Sequence, residues 1–261
     1  MTHSNLLIDK LNEGNVALGL AYTYPAAGII EAMLPGWDFV WIDGQHGQLS
    51  YDSCLHAVHA SAVAGVETVL RIPGHETGII GPFADLWPSA IMVPMVNSDD
   101  DAAAVVDGLR FPPLGIRSYG GRRGVDVYGR GVHVERPLLT IAQIETLEAV
   151  DNAEAIINRD GIDMLFFGPD DMKLRMGIDI NTPLTEHPQL RRAMERTAEV
   201  ALAAGKFCGT VTIGAAAARM AVDMGYRLLA GGTDSLFIRT CSRPSTCRAA
   251  RRNDIAASSA I

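Results

Sequence analysis

Residues 38–46 read Asp38-Phe-Val-Trp-Ile-Asp-Gly-Gln-His46. The apolar run Phe39 to Ile42 is too short to show a helical period and is bounded by polar residues, which reads as a strand. It does not alternate with polar residues, the pattern of a parallel strand covered on both faces. It then stops on an acid, a glycine and a histidine. Seven further runs share this character, at 16–21, 67–72, 90–94, 137–143, 162–167, 207–212 and 226–230. Segments of helical period separate them, at 25–34, 52–64, 76–86, 98–109, 145–158, 188–204, 214–224 and 234–250. A short helix at 4–13 leads the chain.

Terminal signals agree with these helices. Ser98-Asp-Asp-Asp101 puts acids in a first turn, where the helix dipole favours them. Helix 188–204 opens on Pro188 and stops at Gly205, and helix 52–64 stops at Gly65. Eight strand–helix units in 261 residues predict a closed (β/α)8 barrel. We expect one domain over 1–261, a TIM barrel with a short N-terminal helix and a C-terminal helical tail. Only 111–136 lacks a period. It is rich in glycine and arginine, and such a stretch in a compact domain is expected to be functional or mobile.

Hydrophobic residues make up 48% of the chain and the formal net charge is −8. That balance argues against a nucleic-acid partner. No apolar run reaches a membrane span, and the N-terminus does not read as a signal peptide. The four cysteines, Cys54, Cys208, Cys241 and Cys247, form no CxxC pair and read as reduced thiols. A cytoplasmic protein is expected.

In barrels of this kind, function sits in the loops after the strands. The second strand ends on Asp43 and His46. The acid can orient the imidazole for proton transfer, or merely cap the loop. The third ends on Arg71, which suits a carboxylate or a developing enolate oxygen, or an ion pair closing the rim. The fifth leads to Gln143-Ile-Glu145 and the sixth to Gly168-Pro-Asp-Asp171. Carboxylates brought to one mouth repel, and a cation between them relieves this. Oxygen ligands favour Mg²⁺ or Mn²⁺. Asp170 or Asp171 can also serve as a helix cap.

Asp43-Gly-Gln-His46, Arg71-Ile-Pro73, Val93-Pro-Met-Val96, Phe111-Pro-Pro-Leu-Gly-Ile-Arg117, Gln143-Ile-Glu145 and Phe167-Gly-Pro-Asp-Asp171 occur in an order and spacing that resembles the HpcH/HpaI aldolase family. The resemblance covers nearly the whole chain. It implies the same barrel, a homohexamer built as a trimer of dimers, and a divalent metal ion (Mg²⁺, Mn²⁺ or Co²⁺). It implies a carbon–carbon lyase that reversibly cleaves 4-hydroxy-2-oxo acids to pyruvate, or hydroxypyruvate, and an aldehyde. By position, Glu145 and Asp171 match the metal ligands, and Arg71 the arginine that binds the oxo acid. His46 with Asp43 behind it matches the acid–base pair. Gln143 and the main chain of Gly168, Pro169 and Asp170 match the substrate-binding groups.

The chain departs from the family at Asp170, where a small residue is usual. The loop after His46, the segment 118–136 and the tail after Arg239 also diverge. A Schiff-base route would need a lysine on a strand end, which neither Lys173 nor Lys206 provides. Oxaloacetate decarboxylation, or another carbon–carbon lyase reaction through the same enolate, is the alternative chemistry. A catalytically silent barrel is the alternative of a different kind.

Overall fold

The computed structural model describes residues 4–241. Eight strands are present: β1 (Ala17–Tyr22), β2 (Phe39–Asp43), β3 (Glu67–Arg71), β4 (Ala90–Val93), β5 (Leu139–Ile144), β6 (Met164–Phe167), β7 (Phe207–Val211) and β8 (Leu228–Thr233). They pair in chain order and close into a barrel. Every pairing is parallel, including β8 with β1. Each matches a strand expected from the sequence.

Burial explains the unbroken apolar runs. Phe39, Trp41, Val69, Met92, Ile141 and Phe166 pack inside the barrel. Their neighbours Val40, Ile42, Leu70, Ile91, Ala142 and Leu165 pack in the larger core shared with the helices. Successive strand residues alternate in direction, so both sets must be apolar.

The helices are α1 (Leu6–Asn12), α2 (Gly28–Met33), α3 (Tyr51–Ala64), α4 (Thr77–Ala84), α5 (Asp99–Leu109), α6 (Arg122–Tyr128), α7 (Val132–Glu135), α8 (Leu147–Asp151), α9 (Ala153–Asn158), α10 (Pro169–Arg175), α11 (Pro188–Ala203), α12 (Ala215–Asp223) and α13 (Asp234–Cys241). Asn5 caps α1, and its amide donates to the carbonyls of Ser89 at 2.7 Å and Pro137 at 3.1 Å. This fastens the leading helix beneath the start of the barrel. Ser98 and Asp101 form a capping box on α5, two free donors satisfied reciprocally. α3 stops at Gly65, whose φ of +70° is left-handed.

Three expectations are corrected. The segment 111–136 is not structureless: it carries α6 and α7, and Arg117 is sandwiched 4.9 Å from the Trp87 ring and 4.8 Å from Phe111. Asp85 pairs with that guanidinium at 2.8 Å. The helix expected at 145–158 is two, because Asn152 ends α8 and begins α9. A further helix, α10, stands between β6 and α11. Of the helix expected at 234–250, α13 covers Asp234–Cys241; positions beyond 241, Cys247 and the rest of the expected tail among them, lie outside the described residues. Cys54 and Cys208 are buried free thiols, and burial pushes both up to about 12. Among the described residues, no helix is long and apolar enough to cross a membrane.

Candidate active site

β2 and β3 pair with Asp43 opposite Arg71. Arg71 Nε donates to Asp43 Oδ1 at 2.9 Å, and Nη2 donates to Oδ2 at 2.7 Å. Each side chain is only 8% exposed. The guanidinium also lies 4.7 Å from the Trp41 ring centroid, a cation–π contact. Its fork is therefore fixed from two directions, and Nη1 takes no part in these contacts.

Asp43 Oδ1 also accepts the backbone N–H groups of Gln45 at 3.2 Å and His46 at 3.1 Å. Burial alone would raise this carboxyl. The hydrogen bond and charge of Arg71, with those two N–H groups, carry it below the usual carboxylate range. Asp43 was expected to orient the His46 imidazole. Its carboxylate is instead engaged by Arg71 and by the loop backbone, so it sets the guanidinium and the loop that carries His46. The His46 side chain is exposed at the rim. Gly44 donates its N–H to the Arg71 carbonyl at 2.8 Å. A Cβ at Gly44 would lie 2.7 Å from that oxygen, which accounts for the glycine after Asp43.

Gln143 and Glu145 are two apart and so share a face. Gln143 Nε2 donates to Glu145 Oε1 at 2.7 Å, and the Met95 N–H donates to Oε2 at 3.2 Å. Met95 adopts a left-handed φ of +56° at this contact. Glu145 is 3% exposed. Burial, and then the charge of Asp171, push its carboxyl up to about 7, against the lowering effect of Arg71, the Met95 N–H and Arg175.

Asp171 lies in the first turn of α10, which follows β6 through Gly168. A Cβ at Gly168 would lie 2.7 Å from Glu145 Cγ; the glycine allows α10 to begin against Glu145. Gln143 Oε1 is buried with no hydrogen-bond partner. Two carboxylates and an unpartnered amide oxygen make an all-oxygen donor set, which fits a hard divalent cation. Among the described residues there is no cluster of three or more His, Cys, Asp or Glu side chains for a metal, so water or substrate oxygens would complete such a shell.

The added acid Asp170 does not join this pair. Its Oδ1 accepts from Lys173 Nζ at 3.1 Å. The main-chain clasp expected over Gly168–Asp170 is also narrower. Gly168 N–H is committed to the Ile144 carbonyl at 2.9 Å, and Pro169 has no N–H. Only the Asp170 N–H remains in this triplet, unpaired as first-turn donors are. None of the three lysines sits at the C-terminal end of a strand: Lys10 pairs with Asp38, Lys173 with Asp170, and Lys206, just before β7, donates from Nζ to the Ile157 carbonyl at 2.6 Å.

The mouth thus gathers a fixed arginine, two carboxylates suited to a cation, and an exposed imidazole. Such a set can hold an anionic oxygen and move a proton beside it. Trp41 and Arg175 were not singled out from the sequence, and Met95 entered only as part of the Val93–Val96 motif. Trp41 was legible in part, because it lies two residues before Asp43 and therefore on its face.

The profile of the HpcH/HpaI aldolase/citrate lyase family matches residues 25–240. The hydroxypyruvate/pyruvate aldolase of Cupriavidus necator is 32% identical over 236 residues, 88% of this chain and 86% of that protein. The 4-hydroxy-2-oxovalerate aldolase of Novosphingobium aromaticivorans is 35% identical over 231 residues, 86% of this chain and 87% of that protein. An HpcH/HpaI aldolase/citrate lyase family structure from Burkholderia cenocepacia superposes with a TM-score of 0.85 at 28% identity, over 94% of this chain and 99% of the other. With the barrel closed, its strand-end residues in place and most of its length matched, the chain belongs to the HpcH/HpaI aldolase/citrate lyase family.

Proposed function

We propose that the chain is one barrel domain whose mouth catalyses reversible aldol cleavage of 4-hydroxy-2-oxo acids, giving pyruvate or hydroxypyruvate and an aldehyde. It is a carbon–carbon lyase. The observation that carries this reading is the buried Glu145 carboxyl after β5, 3% exposed and tethered by Gln143 and the Met95 N–H, with Asp171 in the first turn of α10 acting on it. Two carboxylates in that relation call for a cation. Glu145 and Asp171 would hold a divalent ion (Mg²⁺, Mn²⁺ or Co²⁺), which when bound supplies a Lewis acid to the oxygens of the oxo acid.

The chain's own residues do the rest. Arg71 donates to the C2 oxygen as negative charge grows there. Asp43 and Trp41 hold the guanidinium in place beforehand, so little reorganisation is needed. The Asp170 N–H meets the substrate carboxylate. His46 takes the proton of the 4-hydroxyl. The C3–C4 bond then breaks, its electron pair passes toward the C2 oxygen, and the aldehyde leaves. Protonation of C3 releases the oxo acid.

The names of the two relatives, aldolases of hydroxypyruvate/pyruvate and of 4-hydroxy-2-oxovalerate, support this substrate class. The acidic balance and buried thiols support a cytoplasmic enzyme without a nucleic-acid partner. The family resemblance supports a homohexamer.

The test is oxo-acid release from a panel of 4-hydroxy-2-oxo acids and from oxaloacetate, with EDTA and then with each metal restored. Release that stops with chelator and returns with metal is expected. Release indifferent to chelator would remove the metal from the mechanism. Release from oxaloacetate alone would replace the aldolase with a decarboxylase.

A further inference from the structure

His46 sits on a loop that is fastened at both ends. At its start, Gln45 and His46 give their N–H groups to the Asp43 carboxylate. At its end, the Gly47 N–H donates to the Asp43 carbonyl at 3.0 Å, and the Gln48 N–H donates to the Thr23 carbonyl at 2.8 Å. A Cβ at Gly47 would lie 2.4 Å from the first of these oxygens and 3.2 Å from the second, so the loop closes on both only with glycine there. Thr23 directly follows β1, and its position decides where this end of the loop is held.

Thr23 is set in turn by Asp234, the first residue after β8. Thr233 stands opposite Ala21 where β8 pairs with β1, which brings Asp234 beside the residues that follow β1. Asp234 Oδ2 accepts the N–H groups of Thr23 at 2.8 Å and Tyr24 at 3.0 Å. Its Oδ1 accepts the Thr23 hydroxyl at 2.6 Å and the Ser235 N–H at 2.7 Å. The residue is fully buried. Burying a carboxylate is costly unless its oxygens are hydrogen-bonded, and three of these four donors come from the loop after β1. Capping α13 does not require Asp234. The Thr233 hydroxyl accepts the Leu236 N–H at 3.0 Å, which is the bond that an N-cap makes.

We infer that Asp234 is a positioning residue for His46. Asp234 fixes Thr23, Thr23 fixes the end of the His46 loop, and Asp43 fixes its start. The inference rests on the aldol reading above, in which His46 takes the 4-hydroxyl proton, and it adds the residue that keeps the imidazole within reach of that proton. A displacement of about 1 Å can cost about 10²-fold in rate. Enolate formation beside Arg71, Glu145 and Asp171 does not use the imidazole and should be spared.

The test uses the full chain loaded with Mn²⁺. One activity is cleavage of 4-hydroxy-2-oxovalerate. The other is exchange of the pyruvate methyl protons in D₂O, read by NMR, which needs the enolate alone. The ratio of the two cancels the fraction of active protein. Asp234→Asn should lower the ratio by about 10–10²-fold. Thr23→Val removes one donor to Asp234 and keeps the backbone contacts, and it should lower the ratio about threefold. In the His46→Ala background neither substitution should lower it further, because residues that act through one another are not additive. A ratio unchanged in folded Asp234→Asn, or lowered as much without His46 as with it, overturns the inference alone. If Asp234→Asn does not fold, Thr23→Val decides by the same two criteria. A His46→Ala variant that keeps the wild-type ratio overturns the role given to His46, and a wild type with neither activity overturns the aldol reading; this inference falls with either.

Discussion

Arg71 and Asp43 close on one another across adjacent strands through two parallel hydrogen bonds of 2.9 and 2.7 Å. Removing one partner of such a buried pair leaves a charge uncompensated, at a cost of roughly 3–5 kcal/mol. Asp43→Asn keeps the shape and drops the charge. It should lose about 3 kcal/mol of unfolding free energy at pH 7 in urea titrations. Asp43 sits below the usual carboxylate range, so its contribution is complete above about pH 4. It is lost as pH falls through the folded value. The gap between wild type and variant should therefore narrow only in acid. A gap indifferent to pH would assign the loss to packing instead.

His46 stands at the rim, and its assigned work is confined to the 4-hydroxyl proton. His46→Ala should lower aldol cleavage by about 10²–10⁴-fold, the usual yield of general acid–base catalysis. Pyruvate proton exchange and oxaloacetate decarboxylation need only the enolate and should survive. Equal loss of all three activities would place His46 in enolate formation itself.

Glu145 must lose its proton before a cation binds. Its carboxyl lies at about 7, so Mn²⁺ affinity should fall about tenfold per pH unit below 7 and level off above. Calorimetry in two buffers at pH 6 should show close to one proton released. The sign for stability without metal is opposite to that of Asp43. A raised carboxyl favours the folded chain in acid, and that contribution is lost as pH rises from about 4.5 to 7, on the order of 3 kcal/mol. In EDTA, Glu145→Gln should therefore be more stable than wild type at pH 8 and lose that advantage by pH 5. Thermal melts across this range decide it.

The barrel was legible because eight strands buried on both faces cannot avoid unbroken apolar runs. The site was legible as a set of strand ends, since the topology sends each of them to one mouth. What stayed hidden depends on which atoms meet. Asp43 is three residues from His46 in sequence but directly opposite Arg71 in the sheet, and the lateral neighbour took the carboxylate. α10 has seven residues, too few to show a period. Arg117 reads as a loop arginine until Trp87 and Phe111 close on it. Asp170 read as a charge beside the metal pair, yet one helical turn gives it a lysine.

Gly168 offers a steric probe of the metal pair that leaves every ligand in place. Its φ of −96° and ψ of 95° suit alanine, so a substitution there acts through contact and not through backbone strain. The added Cβ would lie 2.7 Å from Glu145 Cγ and 2.9 Å from Oε1. Glu145 is tethered on both oxygens, by Gln143 and by the Met95 N–H, so it can yield only by breaking one tether. Gly168→Ala should raise the Mn²⁺ dissociation constant by about tenfold or more, with about 1–3 kcal/mol lost from folding as in other overpacked sites. Gly28→Ala serves as control, because nothing lies within 4 Å of a Cβ there, and it should bind Mn²⁺ as wild type does. The measurement is Mn²⁺ binding by electron paramagnetic resonance. Wild-type affinity in folded Gly168→Ala would mean that the cation does not rest on Glu145.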